Sequence, residues 1–333
     1  MSTPSSNVAG WFTRLEPADS GGLRPPARPD DPRLGEIVEF WDGNLDALRP
    51  GRPVLIGFPQ DEGVRRNGGR IGAAQAPDEI RKWLYRLTPG DPASDRDLCD
   101  TPPLDVGNVK LTADLEASQE ALAEVIARVL TRRGVPIVLG GGHETALGVF
   151  LGYVQTGESV GIVNIDAPLD VRPLIDGKGH SGSPFRQMME HETPLAGYAC
   201  LGAQPHATSR EHVRFVEQHG GVIRRCEELR QSLANHFASE GHRLASLGCA
   251  VHLSIDADVV SMADVPGVSA PNPVGLAGSE VIGAARLAGA SREIAGLDLV
   301  EISPPHDRDG QSARWGAVLI WSFLIGLPDR RSA

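Results

Sequence analysis

The stretch VGIVNIDAPLDVR, residues 160–172, is an apolar run that stops abruptly at two aspartates. Val160, Ile162, Val163 and Ile165 lie in it without polar alternation, the pattern of a parallel strand covered on both faces rather than a half-solvated one. Five further runs read the same way, at residues 54–58, 136–139, 198–201, 250–255 and 297–302. Between them lie helical segments. In 115–133, Leu115, Leu122, Ile126 and Val129 share one face. In 77–87, Ile80, Leu84 and Leu87 recur at helical spacing after a proline suited to a first turn. Residues 311–327 form a third. The alternation predicts an α/β fold: an open, mainly parallel sheet with helices on both sides.

Residues 1–48 are rich in Pro, Gly, Ser and Asp, with one apolar patch at 11–15, and read as an extended N-terminal arm. No linker divides the rest of the chain, so 49–333 is expected to be a single α/β domain. The 333 residues are 41% hydrophobic and 23% charged, an ordinary globular composition, and the net charge of -11 argues against a nucleic-acid or anionic-membrane partner. WGAVLIWSFLIGL at 315–327 falls short of the ~20 residues a membrane span needs and reads as a buried helix. Cys99, Cys200, Cys226 and Cys249 share no close spacing and are expected to be reduced. MSTPSSNVAG lacks the basic and apolar regions of a secretory signal, and a cytoplasmic location is expected.

Three stretches carry the chemistry: GGGHE at 140–144, NIDAPLDVR at 164–172 and SIDADVV at 254–260. Each follows or ends an apolar strand, and in an open parallel sheet ligands bind beyond the carboxyl ends of the strands. They offer His143, Asp166, Asp170, Asp256 and Asp258, an oxygen-rich set with one imidazole that suits manganese better than zinc. Asp166 and Asp170 repel each other unless a cation or proton lies between them. Asp256 and Asp258 are alternate residues at the end of a run, where burying an unpaired carboxylate pair would cost several kcal/mol. The triple glycine lacks the spacing and lysine of a phosphate loop. Glu301 ends another apolar run. His180 lies in GKGHSGSPF, a glycine-rich setting that suits a mobile catalytic loop and equally an exposed turn. Arg65, Arg66 and Arg70 in DEGVRRNGGRIGA, with Arg172 after the middle motif, are candidates to clamp substrate carboxylates, against the alternative of surface charge.

Together these motifs resemble the ureohydrolase (arginase/agmatinase) superfamily over residues 53–327. Within it the chain is most similar to the formimidoylglutamases, through IGFPQDEGVRRNGGRIGAAQAPDEIR, the closing DVR, SGSPF after His180, and PGVSAPNPVGL at 266–276. The resemblance implies a three-layer α/β/α sandwich, a homo-oligomer, and hydrolysis of N-formimidoyl-L-glutamate to formamide and glutamate in histidine breakdown. It implies a first Mn2+ held by His143, Asp166, Asp170 and Asp256, and a second sharing Asp166 and Asp256 and adding Asp258. Glu301 would hold the amidinium, and His180 would carry a proton to the leaving group. DAPLD departs from the family's Asp-Ala-His-x-Asp: Pro168 stands where a ligand histidine is usual, so the second metal loses its only nitrogen ligand. GAQPHATSREH at 202–212 departs as well. The alternatives are a guanidine or amidine hydrolase of the agmatinase or guanidinobutyrase type, and a ureohydrolase fold that has lost catalysis and serves as a binding or regulatory protein.

Overall fold

The computed structural model describes residues 13–18, 20–94, 96–112 and 114–327. Residues 11 and 12 of the expected apolar patch lie outside them. Eight parallel strands build the sheet among the described residues: β1 (Pro53–Phe58), β2 (Leu104–Val109), β3 (Val135–Gly140), β4 (Val160–Ile165), β5 (Gly197–Ala203), β6 (Val222–Arg225), β7 (Ala250–Asp256) and β8 (Ile294–Val300). Their spatial order is β2-β1-β3-β8-β7-β4-β5-β6. Two short strands from the N-terminal segment extend the β2 edge, Leu15–Glu16 antiparallel and Glu39–Phe40 parallel. Leu15, Leu34, Val38 and Leu48 of that segment are buried.

Alternate strand residues feed two separate cores, the mark of a sheet covered on both faces. Leu55, Ile137, Leu139, Val163 and Ile165 pack with helices α1 (Ala76–Leu84), α5 (Leu233–Ala245), α6 (Gly278–Ala290) and α7 (Gln311–Gly326). Val54, Ile56, Val138 and Ile162 pack with α2 (Leu115–Thr131), α3 (Thr145–Thr156) and α4 (Arg210–Gln218). The result is the three-layer α/β/α sandwich. The apolar C-terminal segment is α7, buried along most of its length, and no helix among the described residues is long and apolar enough to cross a membrane.

Two strands escape the apolar-run criterion. β2 reads LDVGNV, and its buried Asp105 is paired with the equally buried Arg81 of α1 at 2.8 Å. β6 is a half-exposed edge strand, free to carry arginines. The expected end of the strand at 297–302 moves. The last strand ends at Val300, because Glu301 takes a left-handed conformation (φ 67°) and leaves the sheet, its N–H bonding to the Gly141 carbonyl at 2.7 Å.

Candidate active site

The carboxyl ends of the four adjacent central strands, β3, β8, β7 and β4, converge on one buried centre. The loop after β3 presents His143, the loop after β4 presents Asp166 and Asp170, β7 ends in Asp256, and Glu301 follows β8. His143 Nδ1 stands 3.0 Å from Asp170, 3.2 Å from Asp256 and 3.4 Å from Asp166. One ligand atom from each of the four lies within 4.8 Å of every other. Asp258 stays outside this group of four, on the short turn Ala257–Val259, and its N–H donates to Asp256 Oδ1 at 2.8 Å.

Local packing sets each side chain. Gly141 must be glycine, since a Cβ there would fall 1.8 Å from the Gln60 carbonyl of the loop after β1. Phe185 and the His143 ring meet edge to face, with centroids 5.1 Å apart. Asn164 donates to Asp166 Oδ2 at 3.0 Å and to the Tyr198 hydroxyl at 3.1 Å, and that hydroxyl donates to the Leu169 carbonyl. The aspartate loop is thereby braced from beneath. Asp170 has φ 46° and Glu301 φ 67°, so two site residues adopt a left-handed backbone that side chains disfavour.

These groups need a cation. Although three carboxylates face His143 Nδ1, none completes a hydrogen bond with it, and Asp166 Oδ1 and Asp258 Oδ1 are buried without a partner. Burial pushes the carboxyls of Asp166, Asp258 and Glu301 well above the ordinary range, and their mutual charges push them further. Burial opposes the charged form of His143, but the carboxylates of Asp170, Asp256 and Asp166 around Nδ1 outweigh it, raising its pKa well above the usual value. The geometry favours a centre shared by all four ligand atoms over a single bridging proton. An oxygen-rich set with one imidazole fits a divalent cation of the Mn2+ kind.

Beside this centre, burial pushes the Glu144 carboxyl from its usual 4.5 to about 8. Its Oε1 accepts the Gly63 N–H at 2.7 Å, docking the loop after β1 against the metal loop. Without metal, then, the folded protein holds protons on Glu144, Asp166, Asp256, Asp258 and His143 that the unfolded chain has released. More protons bound in the native state mean that stability falls as pH rises between about 4.5 and 8. Metal binding expels those protons and gains with pH. Melting curves with chelator should therefore shift down from pH 6 to pH 8, and the rise in Tm on adding Mn2+ should be larger at pH 8. Glu144→Gln should flatten the chelator series. A metal-free protein that grows more stable over this interval would contradict the account.

Of the four arginines, three are committed elsewhere. Arg65 pairs with Glu62 at 2.6 Å. Arg66 bonds Glu62, Glu116 and the Gly179 carbonyl beside His180. Arg70 holds the carbonyls of Val268 and Ser269, and the Ser269 hydroxyl donates to Glu301 Oε2. Arg66 and Arg70 thus brace the loops around the site. Arg172 is exposed and contacts the neutral Asn67 side-chain oxygen at 3.1 Å, with no carboxylate partner among the described residues. Asn67 in turn donates to Ser181 Oγ at 3.1 Å. His180 is buried, which lowers its pKa. Its Nδ1 accepts the Gly182 N–H at 3.2 Å, and its Nε2 faces the Pro173 carbonyl at 3.0 Å. Glu301 Oε1 accepts the His143 N–H at 2.8 Å.

Sequence reading passed over Asn164, Ser254 and Asp298 as functional residues. Their signal was present: each is a polar residue inside an otherwise apolar parallel strand, where packing alone gives no reason for it.

Known proteins match most of the chain in sequence and in fold. The arginase family model matches residues 52–326. The chain is 37% identical over 291 residues to a formimidoylglutamase of Rhodococcus opacus (strain B4), covering 83% of this chain and 86% of that one. It is 35% identical over 304 residues to a formimidoylglutamase of Chromobacterium violaceum, covering 88% and 94%. The crystal structure of Trypanosoma cruzi formiminoglutamase with Mn2+ superposes with a TM-score of 0.81 at 30% identity, covering 90% of this chain and 100% of that one.

Proposed function

The chain belongs to the arginase family, and from that premise we propose that it is a metal-dependent hydrolase of N-formimidoyl-L-glutamate, yielding formamide and L-glutamate in the cytoplasm. The observation that carries the substrate is the sorting of charge across the site. The floor is a cluster of aspartates with Glu301, whereas Arg172 at the rim has no counter-charge among the described residues. A substrate with an amidinium at one end and carboxylates at the other fits that polarity. Agmatine, cationic at both ends, would bring a positive charge to Arg172.

In this reading His143, Asp166, Asp170 and Asp256 hold the first Mn2+. Asp258 with the free oxygen of Asp166 and the carboxylate of Asp256 would hold a second, made of oxygen alone because Pro168 offers no donor. Bound there, the metal acts as a Lewis acid that makes a water nucleophilic near neutral pH. Glu301 would turn Oε2 from Ser269 to the substrate amidinium, a charge-assisted bond. His180 would serve as proton carrier by exchanging the Pro173 carbonyl for the leaving amine. The alternative of a binding protein without catalysis rests on Pro168 alone, and the four-ligand centre supports the enzyme.

The test is turnover of formimidoylglutamate and of agmatine with added Mn2+. The first should be the faster by a wide margin, and the reverse order would reject the proposal. Arg172→Ala should raise KM for formimidoylglutamate about 10-fold, the loss of one solvent-accessible charged contact of ~1.4 kcal/mol, with a smaller effect on kcat. Arg65→Ala, which removes only a local pair with Glu62, should leave KM unchanged.

A further inference from the structure

On its far side, away from the carboxylates, His143 meets a line of polar side chains inside the sheet. His143 Nε2 stands 3.0 Å from Ser254 Oγ, which donates to Asp298 Oδ2 at 2.6 Å. Asp298 Oδ1 lies 2.9 Å from His252 Nε2, and His252 Nδ1 lies 3.1 Å from the Tyr153 hydroxyl. None of the five is more than 1% exposed. They come from the β3 loop, β7, β8 and α3, so the line is assembled by the tertiary fold. Gly296, paired with His252 across the strands, keeps room for the ring: a Cβ there would fall 3.1 Å from His252 Nδ1 and 2.8 Å from the Pro136 carbonyl.

Three of these four bonds have a direction fixed by their chemistry. A carboxylate only accepts, so Ser254 gives its single proton to Asp298 and can only accept from His143. In the neutral imidazole that a metal requires, His143 must then carry its one proton on Nε2, which leaves Nδ1 bare. On the other side, His252 donates through Nε2 to Asp298, and its Nδ1 pairs with the Tyr153 hydroxyl. We infer that Asp298, held by His252 and Tyr153, is a positioning residue of the metal centre: acting through Ser254, it fixes the His143 tautomer whose unprotonated Nδ1 faces the cation. The opposite tautomer would aim an N–H at the metal and could not bind it. Packing offers no equal explanation, since apolar residues would fill these positions without the cost of burying a carboxylate.

This inference rests on reading the four-residue cluster as a metal centre, and the experiment separates the two. Mn2+ binding is measured by equilibrium dialysis on the full chain, for the unmodified protein and for Asp298→Asn, Ser254→Ala and Tyr153→Phe. The dissociation constant of the tight site should rise about 10-fold or more for the first two, as when a ligand histidine loses its outer partner, and less for the distal tyrosine. In parallel, imidazole 15N spectra of the unmodified protein loaded with diamagnetic Zn2+ should show His143 protonated at Nε2. Full Mn2+ affinity in a folded Asp298→Asn protein, or a His143 spectrum without a proton on Nε2, would overturn the inference. The spectrum needs no variant, so misfolding of a mutant cannot leave the matter open. No Mn2+ binding by the unmodified protein would overturn the metal-centre reading itself.

Discussion

Asp256→Ala should strip the site of metal and lower kcat/KM by about 10³-fold or more, the several kcal/mol that a Lewis acid contributes to such hydrolysis. Asp256 has two duties. Its Oδ2 stands 3.2 Å from His143 Nδ1 within the four-ligand centre, and its Oδ1 receives the Asp258 N–H at 2.8 Å, holding the turn that carries the next carboxylate. Asp258→Ala leaves the four ligands in place and should retain the tight metal with a smaller loss of activity. The two variants should also part in stability. In the presence of chelator, Asp258 is a buried carboxyl repelled by Asp256 and Asp166, so removing it should leave the metal-free Tm equal to or above that of the unmodified protein. With saturating Mn2+ the order reverses, because the unmodified protein gains more from binding. Metal content per chain, activity and paired melting curves read all three effects. If Asp258→Ala lost the tight metal as readily as Asp256→Ala, the division of ligands between the two centres would be wrong.

The fold was legible where the sequence obeys one rule at a time. β4 is apolar apart from Asn164 and stands where the run at 160–165 predicts it, with Asp166 directly after it. β2 hid because its Asp105 is neutralised by Arg81 from α1, a partner distant in sequence that no local pattern announces. The aspartates and His143 were legible for a related reason: ionisable groups at the ends of apolar strands are costly unless they serve a site. The arginine-rich loop after β1 was less so. Sequence shows the charge of Arg66 and Arg70 but not the carbonyls that capture them, and those acceptors sit on loops more than a hundred residues away. Glycine-rich surroundings likewise left His180 between a mobile catalytic loop and an exposed turn, whereas the fold buries it and engages both ring nitrogens with its own loop. Composition and spacing reveal which groups are present. Whether a group is free to meet a substrate depends on acceptors that only the tertiary structure brings near.

Pro168→His is the change that should strengthen the centre. Pro168 is half-buried between Asp166 and Asp170, and its carbonyl lies 3.6 Å from Cys200 Sγ. Proline fixes its own φ and biases Ala167 toward extended geometry, and it contributes neither an N–H nor a ligand atom. In the site, Asp166 Oδ1 and Asp258 Oδ1 are buried oxygens without partners. A second cation held there has only oxygen around it, which suits Mn2+ or Mg2+ and disfavours metals that seek nitrogen. Histidine at this position releases the φ constraint and adds an imidazole. The weaker class of Mn2+ sites should then tighten by about 10-fold to 100-fold, at least the effect of a residue that merely supports a ligand. Activity at limiting Mn2+ should rise with it, whereas activity at saturating Mn2+ should change little, since the unmodified site is then already filled. Zn2+ and Co2+ should also gain relative to Mg2+ in competition, because only the new donor distinguishes them. Titration of activity against free Mn2+, with metal counted per chain, reads the outcome. A folded Pro168→His protein with one metal per chain and unchanged Mn2+ dependence would mean that the oxygens of Asp166 and Asp258 do not form a cation site, and that hydrolysis, where it occurs, runs on the first metal alone.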